Sequence, residues 1–597
     1  MQKRVILFTV VSMLLLFFTG CNKDKSLYEK DRCSVVVENS TAFLIKERVI
    51  EVPYGTDLSI KVSPLYFNRI IGCDYKGRYR IAENKDKTVS LLLYDVRRSF
   101  VLKIFAETPG IKIDYVFDNP SVKDFSVLYH PHHLGINTEN AACITPIEGF
   151  TLVSWNTEKY GKGRRISLGS RIYTDKDMVL YAQIERWNPE KDFDYDVIDG
   201  HVEIKKIKAL GNKIVIPSYI KGLKVYSLKK GCLKETEIDC LIMPPGLKKI
   251  EEKAFENCRI SKIVLFDDVE SVSDYSLYDC KGFETLYINA AEPPVYSKNY
   301  YGTFADKYDF LMANKDKKKM VLFSGSSARF GYDSIYIEDI LQDYKVMDMG
   351  VFAYTNALPQ MEIIRSLMKE GDVLIHSPEF DASKRQFCTT NALDDDFFCM
   401  MEADYDMVSL LDMGEYTQVF SSLTKYLMKR KSMEKTCYED SPLFYDEDGN
   451  ETETPSYNMN GDYIVERTDS VSDEPIFGLK VDYSKDAFAK SIYIEPLNRE
   501  YKRFMDEGIE VYFTYAPRNK KALDDRCSGE VLLDTDEYLR SSLNVEIIGT
   551  IEESLVDGRY LSGTDNHLST KGVEIRTREF VKEFMELKEK KQGGVWQ

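Results

Sequence analysis

A serine directly behind an apolar strand and a histidine directly ahead of the last helix are the two residues here whose chemistry combines into acyl transfer. Ser326 lies in Ser324-Gly325-Ser326-Ser327, following the run Met320-Val-Leu-Phe323. A serine on a tight glycine turn before a helix is open to substrate and has backbone N–H groups beside it. It needs a base, and only two of the six histidines, His376 and His567, fall in this region. His567 stands in Gly563-Thr-Asp-Asn-His567-Leu-Ser-Thr-Lys-Gly572. An imidazole within reach of the hydroxyl takes its proton as the oxygen attacks a carbonyl. Asp565 is the nearest acid to orient that ring. His376 ends a strand ahead of Ser377-Pro378-Glu379, and from that carboxyl end His376 and Glu379 are candidates for lining the cleft; the plainer reading of His376 is a strand-end residue under the turn. The serine turn is not a Gly-x-Ser-x-Gly elbow. It also lacks the Gly-Lys-Ser/Thr ending of a phosphate loop.

Strand and helix patterns alternate around these residues. Strands are expected at 320–323, 345–349, 371–376 and 509–515, and helices at 334–341, 358–368, 497–507 and 573–588. That alternation predicts a doubly wound α/β sheet with its site beyond the carboxyl ends of the strands. Residues 381–470 interrupt the pattern with Asp394-Asp-Asp396 and the acidic, turn-rich 445–455, which read as an inserted lid or loop. The acidic run lacks the ligand spacing of a calcium loop.

The early strand-end serine and the His-Leu-x-x-x-Gly phrase together resemble the SGNH/GDSL hydrolases, over about residues 318–590. The resemblance implies a flavodoxin-like three-layer α/β sandwich and an esterase, acyl hydrolase or acyltransferase that uses no metal or cofactor. Ser326 then matches the nucleophile and His567 the base. Gly350, in Met347-Asp-Met-Gly350, and Asn356, in Tyr354-Thr-Asn356-Ala, match the oxyanion donors. The first block reads Ser-Gly-Ser, a Gly-x-Asn-Asp block is missing, and Thr564 stands three before His567 where the family has aspartate.

The rest of the chain presents this region. Lys3-Arg4, the apolar Val5–Phe18 and Phe18-Thr-Gly-Cys21 resemble a bacterial lipoprotein leader, implying a signal peptide over 1–20, membrane lipid held through an acylated Cys21, and a polar tether over 21–31. Alternating runs over 32–108 predict a small β-sandwich. Residues 112–188, with Gly149-Phe-Thr-Leu-Val-Ser-Trp155 and Leu180-Tyr-Ala-Gln183, resemble the Listeria–Bacteroides repeat. Within 192–293, strands starting at Ile214, Leu241, Ile263 and Leu286 recur at 27, 22 and 23 residues. A one-strand period in the low twenties marks a leucine-rich solenoid, and Ala254-Phe-Glu-Asn-Cys258 resembles its BspA-like form. Cys258 and Cys280 are then core positions.

The expected whole is multidomain: N-terminal all-β modules, a short solenoid and the α/β sandwich, consistent with 597 residues. The balance of 80 Lys+Arg against 97 Asp+Glu, a net charge of −17, argues against nucleic acid as a partner. Twelve cysteines, eleven of them besides Cys21, without a Cys-x-x-Cys pair, and His130-Pro-His-His133 without carboxylate or thiol partners, give no metal motif. Two functions remain: an extracytoplasmic, lipid-anchored serine hydrolase acting on O-acyl groups of envelope or extracellular glycans, or a non-catalytic protein adhering to a glycan or protein through its repeats.

Overall fold

The computed structural model describes residues 32–591 apart from 39, 41, 66, 86, 131–133, 210, 297–300, 380–384, 417–418, 433–455, 471 and 477–479. The leader, Cys21 and the tether, the His132-His133 pair and the acidic run 445–455 lie outside the described residues. The chain divides into two compact units. Several small sheets recur along it, none closed into a barrel among the described residues.

The first unit comprises 64 and the residues before it, with 68–107. Its longest strands, Thr56–Pro64 and Val89–Val96, pair antiparallel. Leu58, Ile60 and Val62 turn inward while Ser59 and Lys61 face solvent, the period-two pattern of a half-buried sheet. They close on Val35, Leu91, Leu93 and Leu102 in one core.

The second unit, 65–67 with 108–597, begins with a five-stranded sheet over 111–186. Trp155 fills its core against Tyr115, ring centroids 4.7 Å apart, and its indole N–H donates to the Glu139 carbonyl at 3.0 Å. The solenoid follows. Its strands Lys213–Val215, Glu237–Ile242, Arg259–Phe266 and Thr285–Asn289 run parallel. Ile214, Leu241, Ile263 and Leu286 fall in one register, each at most 1% exposed. Each rung buries its apolar face against the next, so the sequence period becomes a continuous core, which extends to Phe420 and Leu423. Cys258 is buried in it, and Cys280 is half-buried at the equivalent place one rung on.

Next comes a parallel sheet of β1 (Lys319–Phe323), β2 (Lys345–Asp348), β3 (Val373–His376), β4 (Glu510–Thr514) and β5 (Glu546–Ile548). Its order is β2-β1-β3-β4-β5. Both faces are covered, as parallel strands require. Met320, Leu322, Val346 and Ile375 pack under Phe580, Val581 and Phe584 of the last helix, Thr570–Lys591. Val321, Phe323 and Leu374 turn the other way, into the core that holds Ile363, Ile364, Leu497 and Tyr501.

The stretch expected to be an inserted lid is a built part of this core where it is described. Asp394 caps the helix Asp395–Met401 through the Phe397 N–H, and Phe397, Phe398, Met400 and Met401 are buried. The acidic triplet is therefore a helix start, where negative charge is favoured. The helix Thr303–Ala313 ties the α/β region to the upstream β sheets: Asp306 and Asp309 bind the Arg171 guanidinium at 2.8 and 2.7 Å, with Arg171 2% exposed.

Burial pushes several carboxyls of this unit upward, Asp309 and Asp394 to about 6 and Asp404, Asp462 and Glu500 to about 7. An unfolded carboxyl titrates near ~4, so between these limits the native state binds protons that the unfolded chain does not. Their contribution to stability is full below ~4 and is lost as pH rises through 6–7. His376 acts oppositely: burial holds it down to about 3, so its contribution falls as pH drops below ~6.5. The carboxyls outnumber it, and the melting temperature is expected to be higher near pH ~5.5 than at ~7.5. A thermal melt series showing equal or lower stability at the acidic value would contradict these assignments.

Candidate active site

The strand order reverses beside β1, whose neighbours are β2 and β3, and the crevice outside the carboxyl ends at such a point is where ligands bind in open α/β sheets. The chain leaves β1 through Ser324-Gly325 into the short helix Ser326–Arg329, and leaves β3 through Ser377-Pro378-Glu379. Glycine at 325 is a packing requirement: an added Cβ would lie 2.5 Å from the Ala353 Cα. Ser326 is held at the mouth of the sheet, 5% exposed.

His567 arrives from the opposite end of the chain. Its Nε2 lies 2.8 Å from the Ser326 Oγ, a hydrogen bond spanning 241 positions. Thr564 explains how the loop is shaped without the aspartate: its Oγ1 accepts the N–H groups of Asn566 and His567 at 3.3 and 3.0 Å. The imidazole packs on Phe330, centroids 4.6 Å apart, and the Arg467 guanidinium lies 4.1 Å from that ring. Arg467 also donates to the carbonyls of Ser562 and Leu568 at 2.6 and 3.1 Å, clamping both sides of the histidine loop.

Glu379 makes the other contact to the serine. Its Oε1 accepts the Ser326 hydroxyl at 3.2 Å and the Ser327 N–H at 2.8 Å, and its Oε2 accepts the Asn566 side-chain amide at 3.0 Å. Asn566 Nδ2 also donates to the Ser327 Oγ at 3.0 Å. Ser326 thus has one proton and two acceptors within reach. When it donates to imidazole it is poised as a nucleophile; when it donates to Glu379, an imidazole with its proton on Nε2 donates to it.

Three expected site residues are used elsewhere, and the fourth, Asp565, has other contacts. Its Oδ1 accepts the Ile476 N–H at 3.0 Å and the Asn519 amide at 3.2 Å, joining the histidine loop to its surroundings. The Gly350 N–H donates to the Asp348 carboxylate at 2.7 Å, so it is not an oxyanion donor. The Asn356 amide is spent on the Ala392 carbonyl at 2.8 Å and Asp394 at 3.1 Å. His376 does not line the cleft. It is fully buried, stacked on Phe323, with Nδ1 2.7 Å from the Tyr501 hydroxyl.

Gly350 nonetheless matters for shape. A Cβ there would lie 2.6 Å from the Arg329 nitrogen and 2.7 Å from the Gly325 carbonyl oxygen, both backbone atoms of the serine turn. Gly350→Ala is expected to cost about 1–3 kcal/mol of stability through overpacking and to displace Ser326. A thermal melt matching the parent chain would show that the turn tolerates the methyl group.

The space against Ser327, Glu379, Tyr483, Ala516, Pro517, Arg518 and Asn566 is about 10 Å³, the room of one water. A larger cleft, about 780 Å³, which shares none of these residues, lies in the sheet of 111–186, between 117–125 and 143–150. Its lining brings together no nucleophile–base pair, so the reactive constellation and not the larger volume locates the chemistry. Among the described residues no cluster of His, Cys, Asp or Glu has the makings of a metal site.

Residues 211–306 match the family model of the BspA type leucine-rich repeat region, in six copies. The solenoid is therefore of that type. No curated protein and no solved structure matches the chain.

Proposed function

We propose that the α/β region is a serine acyl hydrolase or acyltransferase of SGNH type, with Ser326 as nucleophile and His567 as general base. The observation that carries this reading is the 2.8 Å approach of imidazole to hydroxyl between residues so distant in sequence. The order β2-β1-β3-β4-β5 supports it, being the flavodoxin-like form of the doubly wound sheet. In the first step the Ser326 oxygen bonds to the acyl carbon while His567 accepts its proton. The leaving alcohol recovers that proton as the tetrahedral species collapses. Water, or an acceptor hydroxyl in a transferase, then takes the acyl group from Ser326.

In this reading an acylated Cys21 anchors the chain outside the cell, and the β modules and solenoid raise the site above the membrane. The sheet over 111–186 serves as a spacer of Listeria–Bacteroides type. BspA-type repeats are typical of surface-associated proteins, which favours O-acyl groups of envelope or extracellular glycans as substrate. The same repeats favour the one rival, a non-catalytic adhesion protein. Hydrolysis of an activated acetate ester by the full chain separates them: turnover absent in Ser326→Ala supports the enzyme, and equal rates in the two folded proteins favour the rival.

A further inference from the structure

Resting on that serine reading, we propose that the Glu379 carboxylate is a resident anion in the place where the acyl oxyanion forms, with the Ser327 N–H and the Asn566 amide as the donors it occupies. Substrate reaches these donors only when Glu379 gives way.

The contacts make the case. Among the donors that converge on this carboxylate are the Ser326 hydroxyl, the Ser327 N–H at 2.8 Å and the Asn566 Nδ2 at 3.0 Å. Those last two lengths are what an oxyanion donor needs, about 2.7–3.1 Å. Both belong to residues adjoining the reactive pair: Ser327 follows Ser326, and Asn566 precedes His567. Asn566 is further fixed by the Ser327 Oγ at 3.0 Å. The two residues expected to supply donors, Gly350 and Asn356, have theirs engaged by Asp348, Asp394 and the Ala392 carbonyl. Glu379 is 3% exposed, and the space beside it holds about one water, so its carboxylate fills the place an acyl oxygen would take at these donors. Its negative charge also opposes the charge that develops on a carbonyl oxygen at this point. Glu379 therefore stabilises the resting site and competes with substrate for the same donors.

A fluorophosphonate probe reads this competition. The Ser326 oxygen bonds to phosphorus, fluoride leaves with the P–F bond, His567 takes the hydroxyl proton, and the phosphoryl oxygen enters the oxyanion site. Glu379→Gln, which keeps the volume but removes the charge, and Glu379→Ala, which empties the place, are each expected to label at Ser326 about tenfold faster or more than the full unaltered chain. Asn566→Ala in the Glu379→Gln background is expected to lose about 100-fold in labelling rate. Acetate added to Glu379→Ala is expected to refill the position and slow labelling, a readout that lost structure does not give. Ser326-dependent labelling that is equal or slower in both Glu379 variants, and indifferent to acetate, would overturn this inference and leave the serine reading standing. Absence of labelling in every form, with folding intact, would overturn the serine reading itself.

Discussion

His567→Gln is expected to lower kcat/KM for an activated ester by about 10³-fold or more, with little change in the melting temperature. The magnitude follows from the role: a base that shares its hydrogen bond with the nucleophile acts as a unit with it, and losing either member removes most of the chemical acceleration. The neutral amide approximates the size of the ring and still reaches toward the Ser326 Oγ, now 2.8 Å from Nε2, but it takes no proton at neutral pH. Ser326→Ala should fall to the same residual rate, and the double variant no further, because the two side chains serve one step. Additive losses would mean that they act in separate processes.

The largest expected effect on stability comes from Arg171→Met. Arg171 Nη1 sits 2.8 Å from Asp306 and 2.7 Å from Asp309, while the Arg171 backbone N–H, which the substitution keeps, donates to Asp404 at 3.3 Å. Removing the guanidinium leaves buried carboxylates without their counter-charge, a loss of about 3–5 kcal/mol. Trp155 lies in the adjoining β sheet and Trp187 directly follows its strand Met178–Arg186, so the urea transition followed by tryptophan fluorescence reports on this junction. A second change, Asp309→Leu, is expected to recover part of the loss, since it removes one of the stranded charges. A single variant within about 0.5 kcal/mol of the parent would show that the junction is held by packing alone.

Much of this architecture is legible in the sequence. The spacing of Ile214, Leu241, Ile263 and Leu286 foretold a ladder because one residue per rung must occupy the same place in the stack. The alternation of buried strands with helices foretold the parallel sheet and put Ser326 at a carboxyl end. His567 was found because a serine needs a base and few histidines were on offer. The failures share a cause: a hydrogen-bond donor is useful only if nothing nearer claims it, and a sequence does not show claimants. Gly350 and Asn356 occupy fitting positions, yet Asp348, Asp394 and the Ala392 carbonyl hold their protons. Asp565 is near His567 in the chain, and its Oδ1 also accepts from Ile476 and Asn519, partners that its place in the sequence does not show. Glu379 was legible only as a neighbour of the cleft, since its contacts reach across 53 positions to Ser326 and 187 to Asn566. The signal for Asn566 is its place beside His567, which brings it wherever the imidazole arrives. Arg467 was hidden in a stretch that read as a lid; its clamp on Ser562 and Leu568 could not be inferred from residues about 100 positions away.

The central claim is that Ser326 is an activated nucleophile. Peptide mapping of the full chain after exposure to a fluorophosphonate tests it most directly. The account predicts a single phosphonyl adduct on the peptide carrying Ser326, abolished by Ser326→Ala and strongly slowed by His567→Gln. An adduct on another residue, or none on a chain shown to be folded, would contradict it.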